Sequence, residues 1–382
     1  MLNEHLYHLS KVIGSRGSAT SKENRAALYA KDVLSGLGYT TEILPFRALT
    51  TFSWLYIVFY TVPLIAWIIN APILSLLFSV LFFLDLNTFP VLSRIFPKRG
   101  SQNVYASFPE RAGKKVVIVA HLDSSKAGLN FSPKLVKGFR TSFLMMVISM
   151  ILAPLLLFVS FIWGGTFRII AILPCLYLSF TALMLLHREV WNKYTDGAND
   201  NASGVAAALA LATKCKTEAP NGVEVRILLT GCEESGTYGM IDFLGKYGDK
   251  HNETFFINLD NIGSGNLYYM SGEGMFPVYK ASAELIDACA TVAGFRPDLN
   301  VKQGVYSLLS TDATPLLARK YKAISFLALN DEGLLPNWHW PSDTYENVDI
   351  KTVETAVEFV YELLKEIGRK NLYETRHMRN TR

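Results

Sequence analysis

The stretch Leu228-Leu229-Thr230-Gly231-Cys232-Glu233-Glu234-Ser235-Gly236 decides how this chain is read. It completes the apolar run Val223 to Leu229, which predicts a buried strand, and Gly231 opens a turn. Two adjacent carboxylates at a strand end repel, and one is pushed toward its neutral form unless a cation lies nearby. A bound metal resolves the conflict: one Glu binds the ion, and its neighbour stays free to move protons for the metal's water. Alone, the pair reads as two ordinary acids on a solvated loop. Its meaning comes from the rest of the chain.

The 382 residues are 50% hydrophobic and only 18% charged, with a mean hydropathy of +0.21. A charged share below the ordinary quarter points to membrane segments. The net charge of +4 is too mild for a nucleic-acid partner. Cys175, Cys215, Cys232 and Cys289 show no CxxC spacing, which argues against a zinc ribbon and a disulfide scaffold.

Residues 1–50 have soluble character. Thr20-Ser21-Lys22-Glu23 fits a capping box ahead of a helix that ends near Gly38, and Thr40 to Phe46 alternates like a strand. Residues 51–92 are almost wholly apolar and divide at Asn70-Ala71-Pro72 into two spans of about 20 residues each, the length of a bilayer crossing. Residues 93–140 return to soluble character, with strands over Asn103 to Phe108 and Lys114 to Ala120. A second apolar pair occupies 141–187, broken at Gly164-Gly165-Thr166. The expectation is four transmembrane helices in two hairpins. Each hairpin returns the chain to its starting side, so 1–50, 93–140 and 188–382 build one discontinuous domain. Arg47, Arg94, Lys98, Arg99, Lys134, Lys137, Arg140, Arg188 and Lys193 lie on that side against Arg168 alone on the other. The positive charge leads to the expectation that the soluble domain faces the cytoplasm, and the four spans to that of a multi-pass integral membrane protein.

After Trp191, apolar strands alternate with helices. Strands are expected over Val223 to Leu229, Phe255 to Leu259 and Ala323 to Ala328, and helices over Gly204 to Leu211, Glu284 to Val292 and Val353 to Ile367. The fold class is therefore α/β, a mostly parallel mixed sheet covered by helices on both faces. Potential metal ligands recur at or just after strand ends: His121 and Asp123, Asp200, Glu233 with Glu234, Asp260, and His339. Each has an ordinary reading when taken singly. His121 could bond a carbonyl, Asp200 could cap the following helix, Asp260 could belong to a turn before Gly263, and His339 to a loop between tryptophans. Their joint recurrence at strand ends favours a metal centre.

With these residues in view, the sequence resembles the M28 family of co-catalytic zinc aminopeptidases over essentially its whole soluble portion. The matching pieces are Ala120-His121-Leu122-Asp123-Ser124, Asn199-Asp200-Asn201-Ala202-Ser203-Gly204, Glu233-Glu234-Ser235-Gly236, Asn258-Leu259-Asp260-Asn261-Ile262-Gly263 and His339-Trp340-Pro341-Ser342-Asp343-Thr344, in that order. The resemblance implies a zinc-peptidase fold and two Zn2+ per chain. Asp200 would bridge the ions, with His121 and Asp260 on one and Glu234 and His339 on the other. Glu233 would act as general base and later general acid, with a metal-bridging water as nucleophile. Asp123 would fix the tautomer of the His121 imidazole, and the Asp200–Asn201 peptide would be cis. Peptides with a free N-terminus are the implied substrates.

The chain departs from the family in its membrane hairpins and near Ser310-Thr311-Asp312-Ala313-Thr314-Pro315, where the family's Ser-Asp-His-type segment has its Asp but not its His. Tyr306 or Asn330 are candidates to supply the missing contact. Cys232 reads as a small packing residue. Two alternatives stand beside the aminopeptidase: a carboxypeptidase or glutaminyl-cyclase-like enzyme on the same fold, and a non-catalytic membrane scaffold. The oligomeric state is not legible.

Overall fold

A computed structural model describes residues 1–108, 113–251 and 253–380, with side chains described to residue 370. In chain order the elements are α1 (Leu2–Tyr7), α2 (Ser21–Gly36), β1 (Thr40–Ala48), α3 (Ser53–Ile68), α4 (Pro72–Leu86), β2 (Arg99–Ser107), β3 (Lys114–His121), α5 (Phe139–Trp163), α6 (Gly165–Trp191), α7 (Ser203–Thr217), β4 (Val223–Thr230), α8 (Tyr238–Tyr247), β5 (Phe255–Leu259), β6 (Asn266–Glu273), β7 (Tyr279–Lys280), α9 (Ala283–Phe295), β8 (Lys302–Tyr306), α10 (Ala313–Ala318), β9 (Lys322–Leu329) and α11 (Ile350–Asn380). Two compact units emerge. The first comprises Met1–Thr50, Lys98–Ser125 and Tyr194–Arg382; the second comprises Thr51–Pro97 and Lys126–Lys193.

The first unit is built on one mixed sheet in the order β1-β2-β4-β3-β5-β9-β6-β7, with β8 beside β6. The central strands β4, β3, β5 and β9 are parallel, whereas β1, β2, β6 and β7 pair antiparallel. The sheet is thus mixed as expected, but its parallel part is confined to the middle and to the β6–β8 pair. Burial on both faces explains the continuous apolar strands. Val116, Ile118 and Ala120 of β3 face α7, α9 and α11, while Val117 and Val119 face α8 and α10.

The small residues of α7 let that helix lie close to the sheet. A Cβ on Gly204 would fall 2.3 Å from the Leu259 carbonyl oxygen and 2.4 Å from Asn201 Oδ1, which leaves room for glycine alone. Gly204→Ala is expected to destabilise the protein by about 1–3 kcal/mol, read as a lower midpoint in urea. An unchanged midpoint would show that the contact relaxes freely.

The second unit contains α3 to α6. Helices α5 and α6, of 25 and 27 residues, are long and apolar enough to cross a membrane by length and composition. Helices α3 and α4, of 16 and 15 residues, fall short of that length. At 1.5 Å per residue, α3 extends about 24 Å, less than the roughly 30 Å hydrocarbon core. The expected four spans are therefore corrected to two helices of spanning length and two shorter ones. The apolar run 51–92 includes residues that are not helical: the chain turns at Asn70 (φ 56°), and α4 ends before Thr88 (φ 64°). Within this unit Arg188 Nη1 bonds Thr51, Ser53 and Glu189, and Lys126 pairs with Glu189 at 2.7 Å.

Candidate metal centre

Parallel β3, β4, β5 and β9 bring their C-terminal ends to one edge, the ordinary place for ligands in such sheets. His121 ends β3 in register with Thr230, the last residue of β4. Glu233 and Glu234 follow β4, Asp260 follows β5, and His339 lies on the long connection from β9 to α11. Asp200 enters from the loop before α7, and its peptide to Asn201 is cis. The asparagines beside it tie this loop to the end of β5. Asn199 Oδ1 accepts from Gly263 N at 2.7 Å, and Asn201 Nδ2 donates to the Leu259 carbonyl at 2.8 Å.

The structure brings His121, Asp200, Glu233, Glu234, Asp260 and His339 together. Each oxygen of the Asp200 carboxylate faces a different histidine. Oδ1 lies 3.1 Å from His121 Nε2, and Oδ2 lies 3.2 Å from His339 Nε2. His121 Nε2 is also 3.5 Å from Asp260 Oδ1, and His339 Nε2 is 3.0 Å from Glu234 Oε2. Two triads sharing Asp200 result: His121, Asp200 and Asp260, and Asp200, Glu234 and His339. Within each triad the ligand atoms lie within 4.8 Å of one another. Glu233 reaches to 4.0 Å from His121 Nε2 without joining either triad.

The cluster calls for positive charge. Burial disfavours a charged His121, but Asp260, the nearby Asp123 carboxylate and the hydrogen bonds to Asp200 and Asp260 raise it well above the ordinary value. His339 likewise reaches about 9 against the pull of burial, through Glu234 and Asp200. Asp200 is held below the usual range by the two histidines despite its burial. Glu233 moves the other way. Burial, and the charges of Glu234, Asp260 and Asp312, push it well up while His121 opposes them. Glu234 Oε1 is buried without a hydrogen-bond partner among the described residues. Imidazole and carboxylate donors, a shared carboxylate and an orphaned oxygen fit two divalent ions of the zinc type.

Asp123 makes a different contact from the expected one. His121 Nδ1 lies 3.1 Å from the main-chain oxygen of Asp123 and 3.6 Å from its carboxylate. That carboxylate instead accepts from Glu233 N and Glu234 N, both at 3.1 Å, and from Ser18 Oγ at 2.6 Å. With both oxygens engaged by closer donors, the main-chain carbonyl orients the imidazole.

Several supporting residues escaped the sequence reading. Asp343, within a quoted motif but without an assigned role, accepts from Asn199 N at 2.6 Å and Asp200 N at 3.2 Å. Arg16 is wholly buried and donates to the carbonyls of Leu122, Leu9, Gly14, Asp196 and Gly197, joining the end of β3 to the Asp200 loop. Its only local sign is a lone cation in the Gly-Ser loop Gly14 to Ser18. Asp312 accepts from Thr230 Oγ1. Tyr306, already a candidate from the sequence, is buried with no hydrogen-bond partner for its hydroxyl among the described residues, and burial with the charges of Asp260 and Asp200 pushes that hydroxyl well up.

Comparisons with known proteins bear on the fold. Residues 183–364 match peptidase family M28. Aminopeptidase YwaD of Bacillus subtilis (strain 168) is 28% identical over 186 residues, which are 45% of this chain and 39% of that protein. The aligned stretch thus spans well under half the length of that relative. Among solved structures, BSAP, a zinc aminopeptidase from Bacillus subtilis, is similar with a TM-score of 0.58 at 14% identity, over 96% of this chain and 94% of that one. A Bacteroides thetaiotaomicron glutaminyl cyclase is similar with a TM-score of 0.60 at 14% identity, over 95% and 96%. Residues 183–364 thus match the peptidase family M28 model, and the chain shares its fold with these solved structures.

Proposed function

We propose that this protein is a dizinc aminopeptidase that removes the N-terminal residue from peptides. The observation that carries the reading is the Asp200 carboxylate, with one oxygen in each of two ligand triads. His121, Asp200 and Asp260 would hold one zinc, and Asp200, Glu234 and His339 the other. Bound there, two ions would supply Lewis acidity, which would acidify a water and offset charge developing on the scissile carbonyl. Glu233, buried beside His121 and outside both triads, takes the water's proton and delivers it to the departing amine. Tyr306, whose buried hydroxyl has no partner among the described residues, would donate a hydrogen bond to the carbonyl oxygen as charge builds there. Tyr306→Phe is expected to lower kcat by about 10²-fold with bound zinc unchanged; a wild-type kcat would remove Tyr306 from this role.

Chelation tests the reading as a whole. Stripping metal should abolish hydrolysis of unblocked aminoacyl amides, and added zinc should restore it. Hydrolysis that survives chelation would defeat the proposal. A glutaminyl-cyclase activity is the second reading, favoured by the structural likeness to the Bacteroides thetaiotaomicron cyclase. It predicts ring closure of peptides with N-terminal glutamine and no release of other residues.

The first unit, in this reading, is a discontinuous peptidase domain, and the second unit anchors it in a membrane through α5 and α6. The outward apolar faces of those helices, including Ile148, Ile162, Ile169, Leu173, Phe180 and Leu183, suit lipid. Flanking positive charge favours a cytoplasmic peptidase domain. Retention in membranes after an alkaline wash is expected. Recovery as a soluble protein without detergent would contradict anchoring.

A further inference from the structure

Four consecutive backbone N–H groups, those of Gly231, Cys232, Glu233 and Glu234, all donate to side-chain oxygens from distant parts of the chain. Gly231 N reaches Asn103 Oδ1 at 3.0 Å, and Cys232 N reaches Glu23 Oε1 at 2.8 Å. Glu233 N and Glu234 N reach the two oxygens of Asp123 at 3.1 Å. Successive N–H groups that converge in this way form an anion-binding nest. Two buried carboxylates occupy this one. The turn is tightened further by Cys232, whose φ of 55° is uncommon for a non-glycine residue.

Glu23 does more than its place in a capping box requires. Thr20 caps α2 by accepting from Glu23 N, as the sequence predicts. The Glu23 side chain, however, is fully buried. Its Oε2 accepts from Ala19 N at 2.9 Å and from Ser101 Oγ at 2.8 Å, while Oε1 reaches across 209 residues to Cys232 N. The turn is pressed onto this carboxylate. A Cβ on Gly231 would lie 2.6 Å from Ser101 Oγ, 2.7 Å from the Gln102 carbonyl and 3.0 Å from Glu23 Oε1. Burial and the neighbouring charge of Asp123 push the Glu23 carboxyl up to about 8, against hydrogen bonds from Ser101, Cys232 and Ala19. A helix cap alone is satisfied at the surface and needs no such burial.

We infer that Glu23 is a positioning residue for Glu233: by accepting the Cys232 N–H it fixes the turn that aims the Glu233 carboxylate into the centre. The inference rests on the reading of Glu233 as the proton carrier. Residues that orient a metal site from behind its ligands commonly matter for activity at the 10- to 100-fold level.

The test compares Glu23→Ala with Glu23→Gln, whose amide oxygen still accepts the Cys232 N–H. In Glu23→Ala, kcat should fall about 10- to 100-fold with KM and zinc per chain unchanged. Amide hydrogen exchange should rise in the peptide covering residues 228–240 and stay at wild-type rates in the rest of the sheet. Glu23→Gln should return most of both properties. If Glu23→Ala does not fold, Glu23→Asp, which keeps the charge but shortens its reach, carries the same comparison. Unchanged exchange at 228–240, or a kcat loss that merely follows zinc loss or melting, would overturn the inference. A wild-type protein without hydrolysis would defeat the proposed function instead, while the exchange measurement still decides whether Glu23 holds the turn.

Discussion

Glu233→Gln is expected to lower kcat by about 10²- to 10⁴-fold, the usual contribution of a general acid–base group, with KM and bound zinc nearly unchanged. The amide keeps the shape of the carboxyl but cannot accept a proton at neutral pH. Glu233 stands outside both triads, so its replacement leaves the ligand sets whole. In the proposed mechanism the same carboxyl serves twice, first as base toward water and then as acid toward the amine, so one substitution would block the full cycle. Steady-state kinetics beside metal analysis checks this. A wild-type rate in Glu233→Gln would remove Glu233 from the mechanism. Loss of zinc along with activity would show that it is a ligand.

Asp200→Ala should have the largest effect on the centre itself. Each carboxylate oxygen of Asp200 faces a different histidine, so the substitution removes a ligand from both triads at once. Bound zinc is expected to fall from two per chain to one or none, and hydrolysis to fall below detection. Asp260→Ala touches only the triad of His121 and should spare the other ion. Equal zinc loss in the two variants would mean that the triads do not share Asp200 in the way the geometry implies. The backbone behind Asp200 is already fixed by Asp343 through Asn199 N and Asp200 N, so the fold should survive its truncation.

The parallel core and the cluster of acids and histidines were legible because much of each is written locally. Apolar runs such as Val223 to Leu229 announce strands, and His121, Glu233, Glu234 and Asp260 lie at or just past their ends. What stayed hidden depends on contacts between distant parts of the chain. Glu23, Asn103 and Asp123 converge on one turn from three segments, and nothing in their neighbourhoods announces that turn. Glu23 looked like a helix cap because its immediate sequence is that of a cap. Arg16 bonds carbonyls up to 181 residues away. The flanking strands β6, β7 and β8 and helix α8 lack the long apolar runs on which the strand reading relied. The membrane expectation erred for a related reason: hydropathy counts apolar residues on both sides of a bend, and the bends at Asn70 and Thr88 are backbone features.

The most direct measurement is zinc per chain on purified protein, taken with hydrolysis of a panel of aminoacyl amides carrying free or blocked N-termini. Two zinc ions and cleavage only of the unblocked substrates are predicted. One zinc without hydrolysis, or a well-folded protein that takes up no metal, would contradict the dizinc aminopeptidase.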